Sequence, residues 1–193
     1  PCVMKSSQDK LSLFNWLIQK YQRKIYWHVR KMVISHDDAD DLTQEVFLKV
    51  WQGLDNFRGD SQLFTWIYRI ATNECLNFLR NKRKMQFCEI EDFSEVFASD
   101  HNHDVLISGD DIQLALQNAI MTLPDKQRLV FNMRYFDEMR YEEIARITGT
   151  SVGALKATYS IAVHKIENLL HNHMQGKEDA KWALFTLYAL LKC

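Results

Sequence analysis

Apolar residues returning at helical spacing along most of the chain constrain this fold more than any other feature. From Leu11 to Ile34 they recur at Leu13, Phe14, Leu17, Ile18, Tyr21, Ile25, Val29 and Met32. That spacing puts them on one face of a long helix, with Lys20, Arg23, Lys24 and Arg30 on the other. Leu42, Val46 and Val50 repeat the pattern, flanked by Phe47 and Trp51. Their helix opens on Asp37, Asp38, Asp40 and Asp41, carboxylates that suit the positive end of a helix dipole. A third helix is expected from Gln62 to about Lys84, after a turn broken at Gly59 and capped by Ser61. Ile112, Leu116, Ile120 and Leu123 begin a second group. Pro124 suits the first turn of the next helix, which Leu129, Val130, Met133 and Phe136 continue. With only 2 Pro and 6 Gly to interrupt 193 residues, the expected fold class is all-α.

Charge divides this run of helices. The net charge is only −1, yet residues 61 to 85 hold five cations against the single acid Glu74. From Gln86 to Gln113 there is no Lys or Arg and there are eight Asp or Glu, and the apolar periodicity fades. The expected organisation is a helical module over 8–85, an acidic linker over 86–110, a second helical module over 111–171 and an apolar tail over 174–193. Cys2, Cys75, Cys88 and Cys193 are spaced too widely for a disulfide framework and read as free thiols in a reducing compartment. The polar run from Lys5 to Lys10 does not read as a secretory leader, and no apolar stretch approaches the roughly 20 residues that cross a bilayer. A cytoplasmic protein without a transmembrane segment is expected.

Residues 141 to 160 carry the sharpest motif. With Tyr141 as first position, Ile144 and Ala145 face inward, Gly149 falls in a turn, and Val152 and Leu155 project back from a second helix. Ala145 permits close approach of the helices, Gly149 can take the left-handed backbone that ends the first, and Ser151 can cap the second. These offsets describe a helix-turn-helix. Gly153, Ala154, Lys156, Ala157 and Ser160 point outward and are small, polar or basic, so the second helix can lie deep in a major groove. An ordinary helical hairpin without DNA contact is the competing reading.

Residues 57 to 84, FRGDSQLFTWIYRIATNECLNFLRNKRK, interleave Phe57, Phe64, Trp66, Tyr68 and Phe78 with amides and cations. Aromatics that stack on unpaired bases, beside cations that hold phosphates, are what a single-strand surface requires. Taken one at a time, each aromatic is equally at home in a core.

DADDLTQEVFLKVW (Asp38 to Trp51) and the segment after it resemble the second region of extracytoplasmic-function sigma factors of the sigma-70 family. LPDKQRLVFNMRYFDEMRYEEIARITGTSVGALKATYSIAVHKIENLL (Leu123 to Leu170) is similar to their fourth region. The resemblance implies a non-enzymatic subunit that binds core RNA polymerase and directs promoter recognition, DNA melting and initiation. It implies that Asp40, Asp41, Gln44 and Glu45 dock on the clamp of the polymerase beta-prime subunit. Phe57, Arg58, Gly59 and Asp60 would capture the non-template strand of the −10 element together with Trp66, Arg69, Asn73 and Asn77. Arg80, Lys82, Arg83 and Lys84 would hold duplex phosphates just upstream. Ser151, Gly153, Ala154, Lys156, Ala157 and Ser160 would read the −35 element, while the apolar surface of their module grips the beta flap. The acidic linker would thread toward the polymerase active centre, and an anti-sigma factor is a further expected partner.

Two stretches depart from the family pattern. LKATYSIAVHKI (Leu155 to Ile166) has Lys156, His164 and Lys165 as its only actual or potential cations, where many family members have several arginines. AKWALFTLYALLK (Ala180 to Lys192) is strongly apolar but too short to cross a membrane, leaving docking on the protein, on a partner or on a membrane surface open. No Gly-rich phosphate loop or nucleophile motif is present, and Cys88, His101 and His103 lack a fourth ligand at metal spacing. No catalysis, metal or cofactor is therefore expected. The readings from other classes are a stand-alone helix-turn-helix regulator acting on palindromic duplex and an all-helical adaptor for protein.

Overall fold

The computed structural model describes residues 7–33, 35–57, 59, 62–88 and 111–173. The regular structure of these residues is entirely helical. One group comprises α1 (Ser7–Val33), α2 (His36–Gly53), a 3-10 turn (Leu54–Asn56) and α3 (Leu63–Cys88). The other comprises α4 (Asp111–Met121), α5 (Asp125–Tyr135), α6 (Tyr141–Thr148) and α7 (Val152–His173). Helix α3 continues to Cys88, so residues 86–88 of the expected linker are helical. The remainder of the linker with His101 and His103, the expected cap Ser61 and the tail 174–193 lie outside the described residues.

Local chemistry sets the helix ends. The Asp38 N–H donates to Ser35 Oγ at 3.4 Å, so Ser35 caps α2, and Asp37 and Asp38 occupy its first turn. Pro124 sits one position before the helical residues of α5, where its missing N–H costs nothing. Gly59 and Gly149 both adopt positive φ, +78° and +69°, as the two expected breakers require.

The apolar stripe of α1 (Leu17, Ile25, Val29, Met32) meets Leu42, Val46 and Val50 of α2 and Ile67, Ala71 and Cys75 of α3. Cys75 is a free thiol, and burial, with Glu74 nearby, pushes its pKa up to about 12, which leaves it unreactive. A second cluster gathers Ala119, Ile120, Leu123, Ala162, Ile166 and Leu170 around Phe131. Phe131 is fully buried and stacks on Tyr135 at 5.2 Å and Tyr159 at 5.8 Å between ring centroids. The two groups also touch, with α5 against α1 and α6 against α3. Among the described residues no helix is long and apolar enough to cross a membrane.

Because Phe131 fills the centre of the second cluster, Phe131→Ala should lower stability by about 3–5 kcal/mol. Urea denaturation followed by circular dichroism measures this, and a loss below about 1 kcal/mol would show that the ring is not a keystone.

Candidate nucleic-acid and protein interfaces

The helix-turn-helix forms from the residues that its offsets required. Ile144 of α6 and Leu155 of α7 are buried, and Ala145 and Val152 are half-buried between the two helices. At the turn the Gly149 N–H donates to the Ala145 carbonyl at 2.9 Å. The Ala154 N–H donates to Ser151 Oγ at 3.3 Å, so Ser151 caps α7 while remaining exposed. A backbone N–H bond from Arg140 to the Glu143 carboxylate, 2.9 Å, secures the start of α6.

Helix α7 is two-sided. Leu155, Ala162 and Ile166 turn inward, whereas Gly153, Ala154, Lys156, Ala157 and Ser160 are all exposed. A Cβ at Gly153 would meet nothing within 4 Å, so the fold itself does not demand a glycine there. The outer face is smooth enough to enter a groove. His164 continues the same face, one turn beyond Ser160. Leu169 is 41% exposed, while its neighbour Leu170 is buried.

On α3, Arg69, Asn73, Asn77, Arg80 and Lys84 are exposed at spacings of three and four, and therefore fall along one stripe. Arg80 Nη2 donates to Asn77 Oδ1 at 2.6 Å, which orients both side chains. Trp66 lies half-buried at the head of this stripe, 5.1 Å from the Phe57 ring. Its indole packs so close to Gly53 that a Cβ there would sit 2.8 Å from it, tying the start of α3 to the end of α2. Lys82 and Arg83 leave the stripe: Lys82 pairs with Asp38 at 3.0 Å, and Arg83 pairs with Asp125 of α5. Arg58 and Asp60 lie outside the described residues.

The aromatics of this segment divide. Tyr68 is only 3% exposed, its ring 4.8 Å from His28 and 4.5 Å from Phe64. Burial, with Asp137 nearby, raises its hydroxyl pKa. Tyr68 is therefore a core residue, whereas Phe57, Phe64, Trp66 and Phe78 remain partly exposed.

Asp40, Asp41, Gln44 and Glu45 are exposed on the outer side of α2. A groove of about 400 Å³ between α1 and α2, lined by Gln19, Gln22, Tyr26, Asp40 and Gln44, runs beside them. Glu45 lies 3.4 Å from Lys49, which also pairs with Glu74 of α3. The bond from Glu74 outweighs desolvation and raises the Lys49 pKa. Leu48 was not anticipated at this surface. It is 61% exposed, one turn after Gln44, and adds an apolar side chain at the C-terminal end of the acidic strip. An apolar residue at the i+4 position of a charged face was the available signal.

Residues 17–85 match the family model described as Sigma-70 region 2, and residues 113–165 match Sigma-70, region 4. The RNA polymerase sigma-H factor of Pseudomonas aeruginosa is 32% identical over 165 residues, covering 81% of this chain and 86% of the relative. The ECF RNA polymerase sigma-E factor of Escherichia coli is 34% identical over 163 residues, 80% of this chain and 85% of the relative. A solved structure of the sigma factor RpoE in complex with the anti-sigma factor NepR, from Bartonella quintana, aligns with TM-score 0.66 and 25% identity, over 81% of this chain and 96% of that one. The structure of CnrH in complex with the cytosolic domain of CnrY shares the fold, with TM-score 0.62 and 21% identity over 87% of this chain and 91% of that one. Two segments matching in order, relatives matched over most of their length and a shared all-helical fold lead to one conclusion: the chain belongs to the sigma-70 family, as a non-enzymatic transcription-initiation factor of the extracytoplasmic-function type.

Proposed function

We propose that three exposed surfaces divide the work of this sigma factor. The strip of Asp40, Asp41, Gln44 and Glu45, with Leu48 at its end, docks on the clamp of core RNA polymerase: an exposed apolar residue beside polar ones suits a protein interface. The α3 stripe, with Trp66 at its head, holds the unpaired non-template strand of the −10 element. Arg80 and Lys84 continue that stripe toward the upstream phosphates, with Lys82 and Arg83 beside them. The outer face of α7 reads the −35 element, with Lys156 as its phosphate anchor. The observation that carries the reading is the alignment of Arg69, Asn73, Asn77, Arg80 and Lys84 on a single exposed stripe.

The mechanism is binding. Each base captured by stacking contributes about 1–3 kcal/mol, which offsets part of the cost of opening the duplex. The protein acts in the cytoplasm, where polymerase and promoter are found. RpoE was captured with its anti-sigma factor NepR, and that supports an anti-sigma partner here as well.

The charge reversal Asp40→Lys, Asp41→Lys and Glu45→Lys should weaken association with core polymerase by about tenfold or more, with helix content unchanged. Surface plasmon resonance and promoter-dependent transcription measure it, and full activity in this variant would remove α2 from the docking role. Lys156→Ala should weaken binding of a promoter duplex similarly for all −35 sequences and reduce the salt slope by about 1. An effect confined to one −35 sequence would instead mark Lys156 as a base reader.

A further inference from the structure

The outer face of α1 carries charge and aromatic surface that none of these three roles uses. From Leu11 to Ser35 there are five Lys or Arg and no Asp or Glu. Trp16, Lys20 and Lys24 recur every four residues with Arg23 beside them, so they line one side of the helix. All four are exposed. Among the described residues no ion pair occupies Lys20, Arg23 or Lys24.

The rings on this face are ordered. Trp16 keeps 46% of its surface in water. The Lys20 ammonium lies 4.3 Å from the centroid of the Trp16 ring and 5.5 Å from that of Tyr21. Tyr21 meets Trp16 edge-on at 6.2 Å and reaches Phe64 at 5.8 Å. Phe64 is half-buried at the start of α3, two residues before Trp66, the head of the α3 stripe. A line of three rings therefore leads from the head of α3 onto α1, with an ammonium at its far end.

This chemistry selects the occupant. Cations without neighbouring acids on the helix favour a polyanion, and an open indole beside them favours flat rings. An unpaired nucleic-acid strand offers both, a phosphate and a free π face at every residue. A duplex hides its bases in the stack, and an acidic peptide brings charge without rings. Trp16 to Lys24 spans about 12 Å at about 1.5 Å per residue, the length of about three nucleotides at about 3.4 Å each.

We propose that α1 holds a further stretch of unpaired strand, which continues from Trp66 past Phe64 and Tyr21 to Trp16. Trp16 stacks on a base, and Lys20 and Lys24 hold the phosphates beside it. Arg80 and Lys84 stand at the upstream end of the α3 stripe, so this stretch is the non-template strand downstream of the −10 element. The proposal extends the reading of α3 as a single-strand surface and rests on it for the course of the strand.

The test titrates the full chain against a labelled oligothymidylate of about 12 nucleotides, within the usual range of single-strand site sizes, by fluorescence anisotropy. Trp16→Ala should weaken binding about tenfold, and Trp16→Phe should restore most of it. Lys20→Gln combined with Lys24→Gln should reduce the salt slope by about 1.4, two phosphates at about 0.7 each. Circular dichroism follows helix content, and where Trp16→Ala lowers it the lysine pair alone decides. Unchanged affinity and slope would overturn the proposal. So would an equal loss for Trp16→Ala against a duplex of the same length or an oligoglutamate, which would mark a surface that reads charge alone. Asn77→Ala combined with Arg80→Ala is measured in parallel. A loss in this α3 variant and none in the α1 variants overturns the α1 surface. A loss in the α1 variants and none in the α3 variant supports the α1 surface and removes the assignment of α3.

Discussion

The last turns of α1 join the two halves of the molecule. Ile25, Val29 and Met32 close the core against α2 and α3, while the Lys31 carbonyl and ammonium meet Asn132 and Asp137 from the second group. His28 bridges the two environments. Its Nε2 lies 3.2 Å from Thr72 Oγ1 on α3, and its Nδ1 faces Asp137. Burial works against ionisation of Asp137, but His28 and Lys31 outweigh it and hold the carboxyl below its ordinary pKa. A charged carboxylate is thereby kept in a half-dry contact between modules, where it is worth more than at the surface and costs more to leave alone.

Much of this was legible in the sequence because it is governed by local rules. Helical spacing located the helices, and the set of Ile144, Ala145, Gly149, Ser151 and Leu155 specified the helix-turn-helix, since each offset answers a separate steric demand. What was not legible depends on partners far along the chain. Nothing near Tyr68 distinguishes it from Trp66, yet one ring is enclosed by His28 and Phe64 and the other lies over Gly53 near the surface. The four aspartates at the start of α2 look alike until the fold gives Asp38 to Lys82 and leaves Asp40 and Asp41 on the outer face. Lys31 and Asp137 are single charges more than a hundred positions apart, and no periodicity connects them.

A chain of net charge −1 can hold DNA because what matters is the field at short range. At physiological ionic strength, charges screen one another beyond about 8 Å. The acidic strip of α2 and the basic stripe of α3 therefore act separately where they face different directions. Between the two helices other charges pair, Lys82 of α3 with Asp38 of α2 and Lys49 of α2 with Glu74 of α3. The cations of the outer α3 stripe, Arg69, Arg80 and Lys84, and Lys156 of α7 remain exposed.

Helix α5 shows why the contact between the groups differs from the cores within them. Every residue from Arg128 to Met133 is buried, so this helix has two inner sides. Phe131 faces its own group and finds stacked rings, whereas Asn132, next in sequence, faces α1 and finds a carbonyl. A contact that never parts gains most from apolar side chains, because buried polar groups must be fully satisfied to break even. A contact that parts gains from polar ones, which do not leave a continuous apolar patch exposed to water or to aggregation. Val130, Met133, Met139 and Ile144 are buried in the same apolar cluster as the core residues of α1, α2 and α3. They belong to the module whose apolar surface is expected to grip the polymerase flap.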